Sequence, residues 1–375
     1  MEPMLRFKAD DGSDFPDWEE MTLGELFCIS AGGDIDKNNC AVKQSKDYPY
    51  PIYANALVNG GLYGYTNYYK IDGDTFTVTG RGDVGHAVAR HCKYVPIVRL
   101  LVCRPNMDDD VDFFAEQINY TRIFIESTGV PQLTAPQLSK TKVKRPSLPE
   151  QRKIADLLSA VDDVISAQEA EVAAWEKRKK GVMQKLFSQE VRFKADDGSD
   201  FPDWEEKTLG DICMYERQRS EGANFVGTEN MLKDFGGVTF DNSNADGSGT
   251  LYHPGDTLMS NIRPYLKKAW LADRKGTCST DVLVFHPTSV EPGYLYWLIA
   301  SDAFVRYVMS AAKGSKMPRG DKKHIMEMPL LLPNKDEQRK IDDCLSSLND
   351  VIIKAKNELA KWQELKKGLL QQMFV

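Results

Sequence analysis

The feature that most constrains this chain is an exact internal repeat. Residues 6–20 read RFKADDGSDFPDWEE, and residues 192–206 carry the same fifteen letters. A second match follows at 150–154 and 337–341, where both segments read EQRKI. The two offsets, 186 and 187 residues, are about half of the 375-residue chain. A repeat of this kind predicts two copies of one structural plan.

Each copy ends in a long segment with a sustained heptad pattern. Residues 150–187 and 337–374 contain no proline, and their apolar positions follow one another in alternate steps of four and three. This pattern predicts a coiled-coil helix, because it keeps one apolar stripe facing a partner. We expect the two helices to pack on each other as a rod; docking of each helix on its own globular domain is the alternative. The predicted seam residues are Ile154, Leu158, Val161, Ile165, Val172, Trp175, Ile341, Leu345, Leu348, Ile352, Leu359 and Trp362.

Two less similar segments separate the repeats. Gly73–Val78 aligns with Gly255–Ser260 at an offset of 182, which places Arg81 on Arg263. Short β-branched and aromatic runs alternate here with Gly, Asn and Asp, which predicts strands with some helix. We therefore expect one α+β fold twice, with different surface chemistry. The predicted order is a leader (1–21), a globular domain (22–148), a helix (149–188), a repeated leader (189–207), a second globular domain (208–335) and a second helix (336–375).

The net charge of −7 is concentrated in the repeated leader. Each fifteen-residue copy carries −4, so the rest of the chain sums to +1 and binding to DNA is not excluded. The seven cysteines form no CxxC pair, which is typical of reduced thiols. No apolar window reaches the length of a membrane span, and the first residues do not read as a signal peptide. We expect a cytoplasmic protein that does not bind membranes.

Sequence motifs for catalysis and for metal binding are missing. Gly80–Gly85 matches GxGxxG, but a strand-like run follows it, whereas a dinucleotide site needs a helix there. A GxxxxGK[ST] phosphate loop and a Pro-Pro-Tyr motif do not occur. His86, His91, Cys92 and Cys103 fit no zinc spacing. We predict neither catalytic residues nor a metal site in this chain.

Basic and aromatic residues on glycine-punctuated loops are the candidates for binding. Lys and Arg neutralise phosphates, while Arg, Asn and Gln can read base edges in the major groove. An ordinary solvated surface charge is the alternative for any one of them, but several recur at matched places in both halves. The predicted DNA-binding residues are Tyr65, Asn67, Lys70, Arg81, Lys140, Lys142, Arg263, Lys267, Lys268, Lys316, Arg319 and Lys322.

The chain resembles the specificity subunits of Type I DNA restriction–modification systems. The resemblance lies in helices that open with LPEQRKI or DEQRKI and close with KKGxxQxxF, in the DFPDWEE leaders, and in the segments STGVPQLT (127–134) and KGSKMP (313–318). It covers nearly the whole chain. It implies two target-recognition domains separated by two long antiparallel coiled-coil helices, with an internal pseudo-twofold repeat. In that family each domain reads one half of a split DNA site, and the helices fix the gap.

The resemblance also implies partners. Two methyltransferase (M) subunits that use S-adenosylmethionine would join this chain on double-stranded DNA and methylate adenine N6. Two restriction (R) subunits that use ATP and Mg²⁺ would add a motor and a nuclease. The chain itself would be non-catalytic, would hold none of these cofactors, and would read an asymmetric bipartite site. The competing hypothesis is a bivalent coiled-coil scaffold that binds protein partners without sequence-specific DNA readout.

Overall fold

The chain folds into two compact units that differ in connectivity. A computed structural model describes residues 3–121, 123, 132–240 and 247–374. Unit 1 combines Met1–Ala170 with Asn357–Val375, and unit 2 is the continuous segment Glu171–Lys356. Each long helix therefore contributes one part to each unit.

Unit 1 is built on a four-stranded sheet, a smaller mixed sheet and a two-stranded ladder. The large sheet has the order β2-β9-β6-β7, the mixed sheet has the order β3-β5-β4-β8, and β1 pairs with β10. The elements are β1 (Glu19–Thr22), α1 (Leu23–Leu26), β2 (Phe27–Ala31), β3 (Cys40–Ala41), β4 (Tyr50–Tyr53), β5 (Leu62–Thr66), β6 (Thr75–Val78), β7 (Ala87–Arg90), β8 (Val95–Pro96), β9 (Leu101–Pro105), α2 (Val111–Thr121), α3 (Ala135–Leu138), β10 (Lys142–Arg145) and the first long helix, α4 (Leu148–Phe187).

Unit 2 repeats this plan. Its large sheet has the order β12-β18-β15-β16, which corresponds strand by strand to the large sheet of unit 1, and β11 pairs with β19 as β1 pairs with β10. The second sheet has the order β13-β14-β17. The elements are β11 (Glu205–Thr208), α5 (Leu209–Ile212), β12 (Cys213–Tyr215), β13 (Arg219–Gly222), β14 (Gly247–Tyr252), β15 (Thr257–Ser260), β16 (Ala269–Leu271), β17 (Gly276–Cys278), β18 (Val282–Pro287), α6 (Pro292–Ile299), α7 (Asp302–Ser310), α8 (Lys322–Met326), β19 (Pro329–Leu332) and the second long helix, α9 (Lys335–Met373).

The large sheet of each unit packs against helices around an aromatic core. In unit 1 the ring of Phe27 lies 5.0 Å from the rings of both Phe76 and Phe114. In unit 2 the ring of Phe285 packs edge-on against Phe304 at 6.2 Å. Edge-to-face contacts of this kind add to the burial of large apolar area. The mixed helix and strand content and the repeated sheet order confirm the predicted α+β fold in two copies.

The long helices pair antiparallel in unit 1. Lys366 Nζ lies 2.7 Å from Asp162 Oδ2, and Gln363 Nε2 donates to Glu169 Oε1 at 3.5 Å. Later residues of α4 thus contact earlier residues of α9, so the two helices run in opposite directions. Lys366 also lies 3.1 Å from Glu116 of α2, so this lysine fastens the helix pair to the globular part.

The same arrangement holds in unit 2. Lys179 Nζ donates to Asn349 Oδ1 at 2.9 Å, and Lys356 pairs with Glu176 at 2.6 Å. Burial lowers the pKa of Lys179, which lacks the two carboxylates that surround Lys366. The antiparallel pairing of two long helices, expected from the family resemblance, is confirmed.

The predicted seam residues have two kinds of neighbours. Ile154 and Leu158 belong to the core of unit 1, and Ile341 and Leu345 to the core of unit 2. Helix–helix packing and docking on a globular domain, posed above as alternatives, thus occur along different parts of the same helices. The other seam positions are buried at Val161, Val172 and Ile352 and partly buried at Ile165, Trp175, Leu348, Leu359 and Trp362.

Each leader is fastened to the start of a long helix through a buried carboxylate. Arg6 donates to both oxygens of Glu150 at 3.1 and 2.9 Å, and Trp18 Nε1 donates to the same carboxylate at 3.2 Å. The second copy repeats these bonds at 3.1, 2.8 and 2.9 Å between Arg192, Trp204 and Glu337. A buried carboxylate needs a cation and further donors. The leader supplies both, which explains why leader and EQRKI motif recur together.

Candidate nucleic-acid interface

In unit 1, the loop between β6 and β7 is paired with the segment before α3. Gly80 donates its N–H to Asn55 Oδ1 at 2.7 Å and accepts from the N–H of Leu133 at 2.9 Å. A Cβ atom on Gly80 would lie 2.8 Å from the carbonyl oxygen of Leu133, so this approach requires glycine. The next residue, Arg81, forms an antiparallel bridge with Gln132, and its Nη2 donates to Gln132 Oε1 at 3.2 Å. Arg81 is thereby held at the surface.

In unit 2, two paired loops bring Arg263, Lys316 and Arg319 together. Arg263 has a left-handed backbone (φ 51°), and its N–H donates at 2.8 Å to the carbonyl before Arg319. Arg319 forms bridges with both Ile262 and Lys313, so residues 313–319 make a tight hairpin against the loop after β15. Lys316 is exposed within this hairpin.

Two carboxylates hold the hairpin in place. Arg319 Nη2 lies 3.0 Å from Asp281 Oδ1, in the turn before β18. Lys313 Nζ lies 2.9 Å from Asp321 Oδ2, and Asp321 also accepts two backbone N–H groups at the start of α8. These hydrogen bonds, the one from Lys313 above all, lower the pKa of Asp321 to about 2. The hairpin is therefore a fixed support for its basic side chains.

Three of the predicted cations of unit 2 remain available to a ligand. Arg263, Lys316 and Lys322 are exposed, and within the described residues none has a carboxylate partner. Lys322 is the first residue of α8, where the carbonyl of the same residue accepts from Tyr215 Oη at 3.1 Å. Phosphate oxygens are the natural partners of such cations.

Lys267 and Lys268 use their charges inside unit 2. Lys267 Nζ lies 2.8 Å from Asp302, and Lys268 Nζ donates to the carbonyl of Thr228 at 2.6 Å. Burial lowers the pKa of Lys268. Lys267 lines a cleft of about 1610 Å³ formed by the long helices and the globular part of unit 2. The ammonium groups of Lys267 and Lys268 are therefore not among the free cations near Arg263 and Lys316.

Three further candidates of unit 1, Tyr65, Asn67 and Lys70, lie on or just after β5 and not on the loop that carries Arg81. Tyr65 is on β5 of the mixed sheet, half-buried, and lines a small pocket. Asn67 approaches Asn39 at 3.5 Å, and Lys70 approaches the carbonyl of Asp34 at 3.5 Å. In the described part of the chain, no hydrogen bond or ion pair joins any of the three predicted residues to Arg81.

Lys140 and Lys142 lie just before and at the start of β10, the strand that pairs with β1. Lys140 follows α3 and is exposed. Lys142 is on β10, and its Nζ lies 2.6 Å from Glu20 of the opposite strand β1. This hydrogen bond raises the pKa of Lys142. The leader thus compensates the charge of Lys142, whereas Lys140 is left open to solvent.

The strand register shows that Arg81 and Arg263, which align in sequence, do not occupy equivalent positions in the two units. Ala87 and Ala269 align at an offset of 182, but they oppose Val78 and Met259, which differ by 181. Strands β6 and β15, called here the central strands of the large sheets, are therefore slipped by one residue relative to the sequence alignment. Because a one-residue slip turns a side chain to the other face, Arg263 is not an exact counterpart of Arg81. Gln132 and Arg319, in contrast, occupy matched places.

Gln132 is not among the predicted DNA-binding residues because it is uncharged. The available signal was its alignment with Arg319 at the offset of 187 that relates the segments before the long helices. Groups of three or more His, Cys, Asp or Glu side chains placed to hold a metal ion are not found among the described residues. In the same part of the chain, no helix has the length and apolarity needed to cross a membrane.

Comparisons with known proteins agree on one family. The family model described as the Type I restriction modification DNA specificity domain matches residues 16–174 and again 202–362. The specificity subunit of the MjaVIII Type I restriction enzyme of Methanocaldococcus jannaschii is 22% identical over 303 residues, which is 72% of this chain and 70% of that protein. A protein of Mycoplasma pneumoniae, named as a type I specificity subunit, is 31% identical over 111 residues, so the match spans about a third of each chain (30% and 31%).

The fold is also found in a solved structure. The S subunit of a Type I restriction–modification system from M. genitalium superimposes with a TM-score of 0.66, covering 100% of this chain and 99% of that one at 15% identity. This likeness concerns the fold, with its two repeated units.

Proposed function

We propose, because this chain belongs to the Type I restriction–modification DNA specificity family, that it reads an asymmetric bipartite DNA site, one half-site for each unit. The observation that carries the proposal is the pair of loop sites described above. Each is a surface loop after the central strand, bridged to the segment before a short helix. The site of unit 1 presents Arg81, and the site of unit 2 presents Arg263, Lys316 and Arg319. The frame is common to both units, whereas the exposed side chains differ.

This combination suits a protein that binds two different sequences in one way. Cations such as Arg263 and Lys316 neutralise phosphates, which all DNA offers, and so fix the position of a unit on the duplex. Side chains that differ between the units, such as Gln132 and Arg319, provide the part of the surface that can discriminate bases. Two such units in one chain would favour a site with two unlike halves, and the long helices would set the gap.

The chemistry belongs, on this proposal, to partner subunits. Two M subunits would bind S-adenosylmethionine and methylate adenine N6 on both strands of the site. Two R subunits would use ATP and Mg²⁺ to move and cut DNA. This chain would act as the non-catalytic component that directs both. The support is its membership of a family named for DNA specificity in Type I restriction and modification.

A genome-wide map of N6-methyladenine tests the proposal. The map is recorded in the source strain with this gene, without it, and with a plasmid copy restored. We expect one asymmetric split motif to lose its methylation on deletion and to regain it on complementation. Purified complex should then protect DNA carrying that motif better than DNA with either half scrambled. Equal protection of both DNAs by a complex that still contains its protein partners would favour the scaffold hypothesis.

A further inference from the structure

We propose that Gln132 and Arg319 are matched base-reading residues of the two units, Gln132 selecting adenine and Arg319 selecting guanine. The inference rests on the proposed function and adds the residue of each unit that contacts a base and the base that it recognises. Both residues precede the N-cap residue of a short helix by two positions, before α3 and before α8. Both form an antiparallel bridge with the loop that follows the central strand of the large sheet.

The two side chains are the ones that suit base recognition in the major groove. The amide of glutamine offers one acceptor and one donor side by side, which match N6–H and N7 of adenine. The guanidinium of arginine offers two parallel donors, which match O6 and N7 of guanine. Recognition of two different base pairs requires a position that has the same backbone placement in both units but a different side chain. Gln132 and Arg319 meet this requirement, because both side chains end in a planar group that can form two hydrogen bonds with a base.

Each side chain is also held by one charged neighbour. Arg81 donates to Gln132 Oε1 at 3.2 Å, which fixes the orientation of the amide and leaves the Nε2 donors and a second lone pair of Oε1 unused by this contact. Asp281 holds Arg319 through Nη2 alone at 3.0 Å, so the other guanidinium donors remain. The side chain of Arg319 is 54% exposed. Side chains fixed before binding lose less conformational entropy when they form the complex.

The neighbouring cations would attract the DNA backbone to this surface. Arg263 and Lys316 flank Arg319 on the same two loops and are exposed, and the described residues offer them no carboxylate. If they contact phosphates, as the proposed function holds, Arg319, whose backbone is paired with both loops, would lie beside the groove. In unit 1 the guanidinium of Arg81 is both the support of Gln132 and an exposed cation beside it.

Reciprocal substitutions test the inference. The full chain, co-expressed with the methyltransferase subunits of its own system, is used as wild type, as Gln132→Arg and as Arg319→Gln, and the methylated motif of each complex is mapped. Gln132→Arg should convert one adenine position of one half-site to guanine and leave the other half unchanged. Arg319→Gln should convert one guanine position of the other half-site to adenine. We expect at least about a tenfold change in preference at the single base pair concerned.

Truncations and a matched control keep the outcomes distinct. Gln132→Ala and Arg319→Ala should each relax one position so that several bases are accepted. Lys316→Ala, on the same hairpin, should reduce methylation of all sites uniformly and preserve the motif. Unchanged motifs in folded Gln132 and Arg319 variants, or a loss of methylation that is equal at every sequence, would overturn the inference. A wild-type complex with no bipartite motif would instead refute the proposed function.

Discussion

At the scale of single residues, Asp302 joins the globular part of unit 2 to its long helix. Its carboxylate lies 2.7 Å from Lys180 of α4 and 2.8 Å from Lys267. The hydrogen bonds to Lys180 and then to Lys267 lower the pKa of Asp302 from 3.8 to about 2. A lowered pKa stabilises the fold above the ordinary pKa, and this stabilisation is lost as the pH falls through the folded value.

Replacement of Asp302 should therefore destabilise unit 2 at neutral pH. We expect Asp302→Asn to lower the free energy of unfolding by about 1 kcal/mol at pH 7, measured by urea unfolding, because water screens part of the attraction to Lys180. The difference from wild type should shrink as the pH falls from about 4 through about 2, because Asp302 takes up its proton near pH 4 in the unfolded chain and only near pH 2 in the folded one. Asp343→Asn is the control, since Asp343 is an exposed carboxylate of α9. An equal effect of both substitutions would contradict this account of Asp302.

At the scale of elements, the leader and the first turn of a long helix stabilise each other. In unit 2, Glu337 is fully buried and accepts hydrogen bonds from Arg192 and Trp204. Glu337→Gln removes the charge that balances Arg192, and we expect a cost of about 3 kcal/mol in the free energy of unfolding. Hydrogen exchange should show the second leader, 192–206, opening more often than in wild type.

Two comparisons make this prediction specific. Glu150→Gln should have the same effect on the first leader, because the contacts are the same. Glu206→Gln, an exposed leader carboxylate, should change the free energy of unfolding little. A double-mutant cycle between Arg192 and Glu337 that gave no coupling energy would show that the ion pair does not hold the leader.

At the scale of the whole molecule, the repeat should allow the globular domains to be exchanged. If residues 21–149 and 207–336 trade places, each exchanged segment begins directly after the identical leader and ends directly before EQRKI, so the contacts between leader 6–20 or 192–206 and the following helix are kept. The lysine pair that contacts the globular parts recurs as well, at Lys179-Lys180 and Lys366-Lys367. We expect the exchanged chain to fold with a thermal midpoint within a few degrees of wild type.

The exchange should also give Asp302 a new lysine partner. Asp302 should pair with Lys367 in the exchanged chain, as it does with Lys180 in wild type. Lys367→Ala should then destabilise the exchanged chain more than wild type, and Lys180→Ala should do the reverse, by urea unfolding. Sensitivity to Lys180→Ala in both chains would mean that the domains do not carry their helix contacts with them.

Local pattern was enough to predict the architecture. The exact repeat predicted two copies of one plan, and the heptads predicted the long helices, because both patterns are visible in the order of the residue types without any knowledge of tertiary contacts. The family resemblance followed from the same segments and is confirmed by the comparisons. The buried partner of Arg6 and Trp18 was out of reach, since Glu150 lies more than 130 residues further along the chain.

The surface that would meet DNA was decided by tertiary structure. The sequence identifies the cationic residues but not their partners. In the fold, Lys267 and Lys268 bind groups inside unit 2 and Lys142 pairs with Glu20, whereas Arg263 and Lys316 stay exposed. Arg81 and Arg263 align in sequence, but the central strands are shifted by one residue relative to that alignment. The two arginines are therefore not equivalent in the folded units. Periodicity and repeats determine which elements form, whereas the partner that a long charged side chain finds depends on strand register and on contacts distant in sequence.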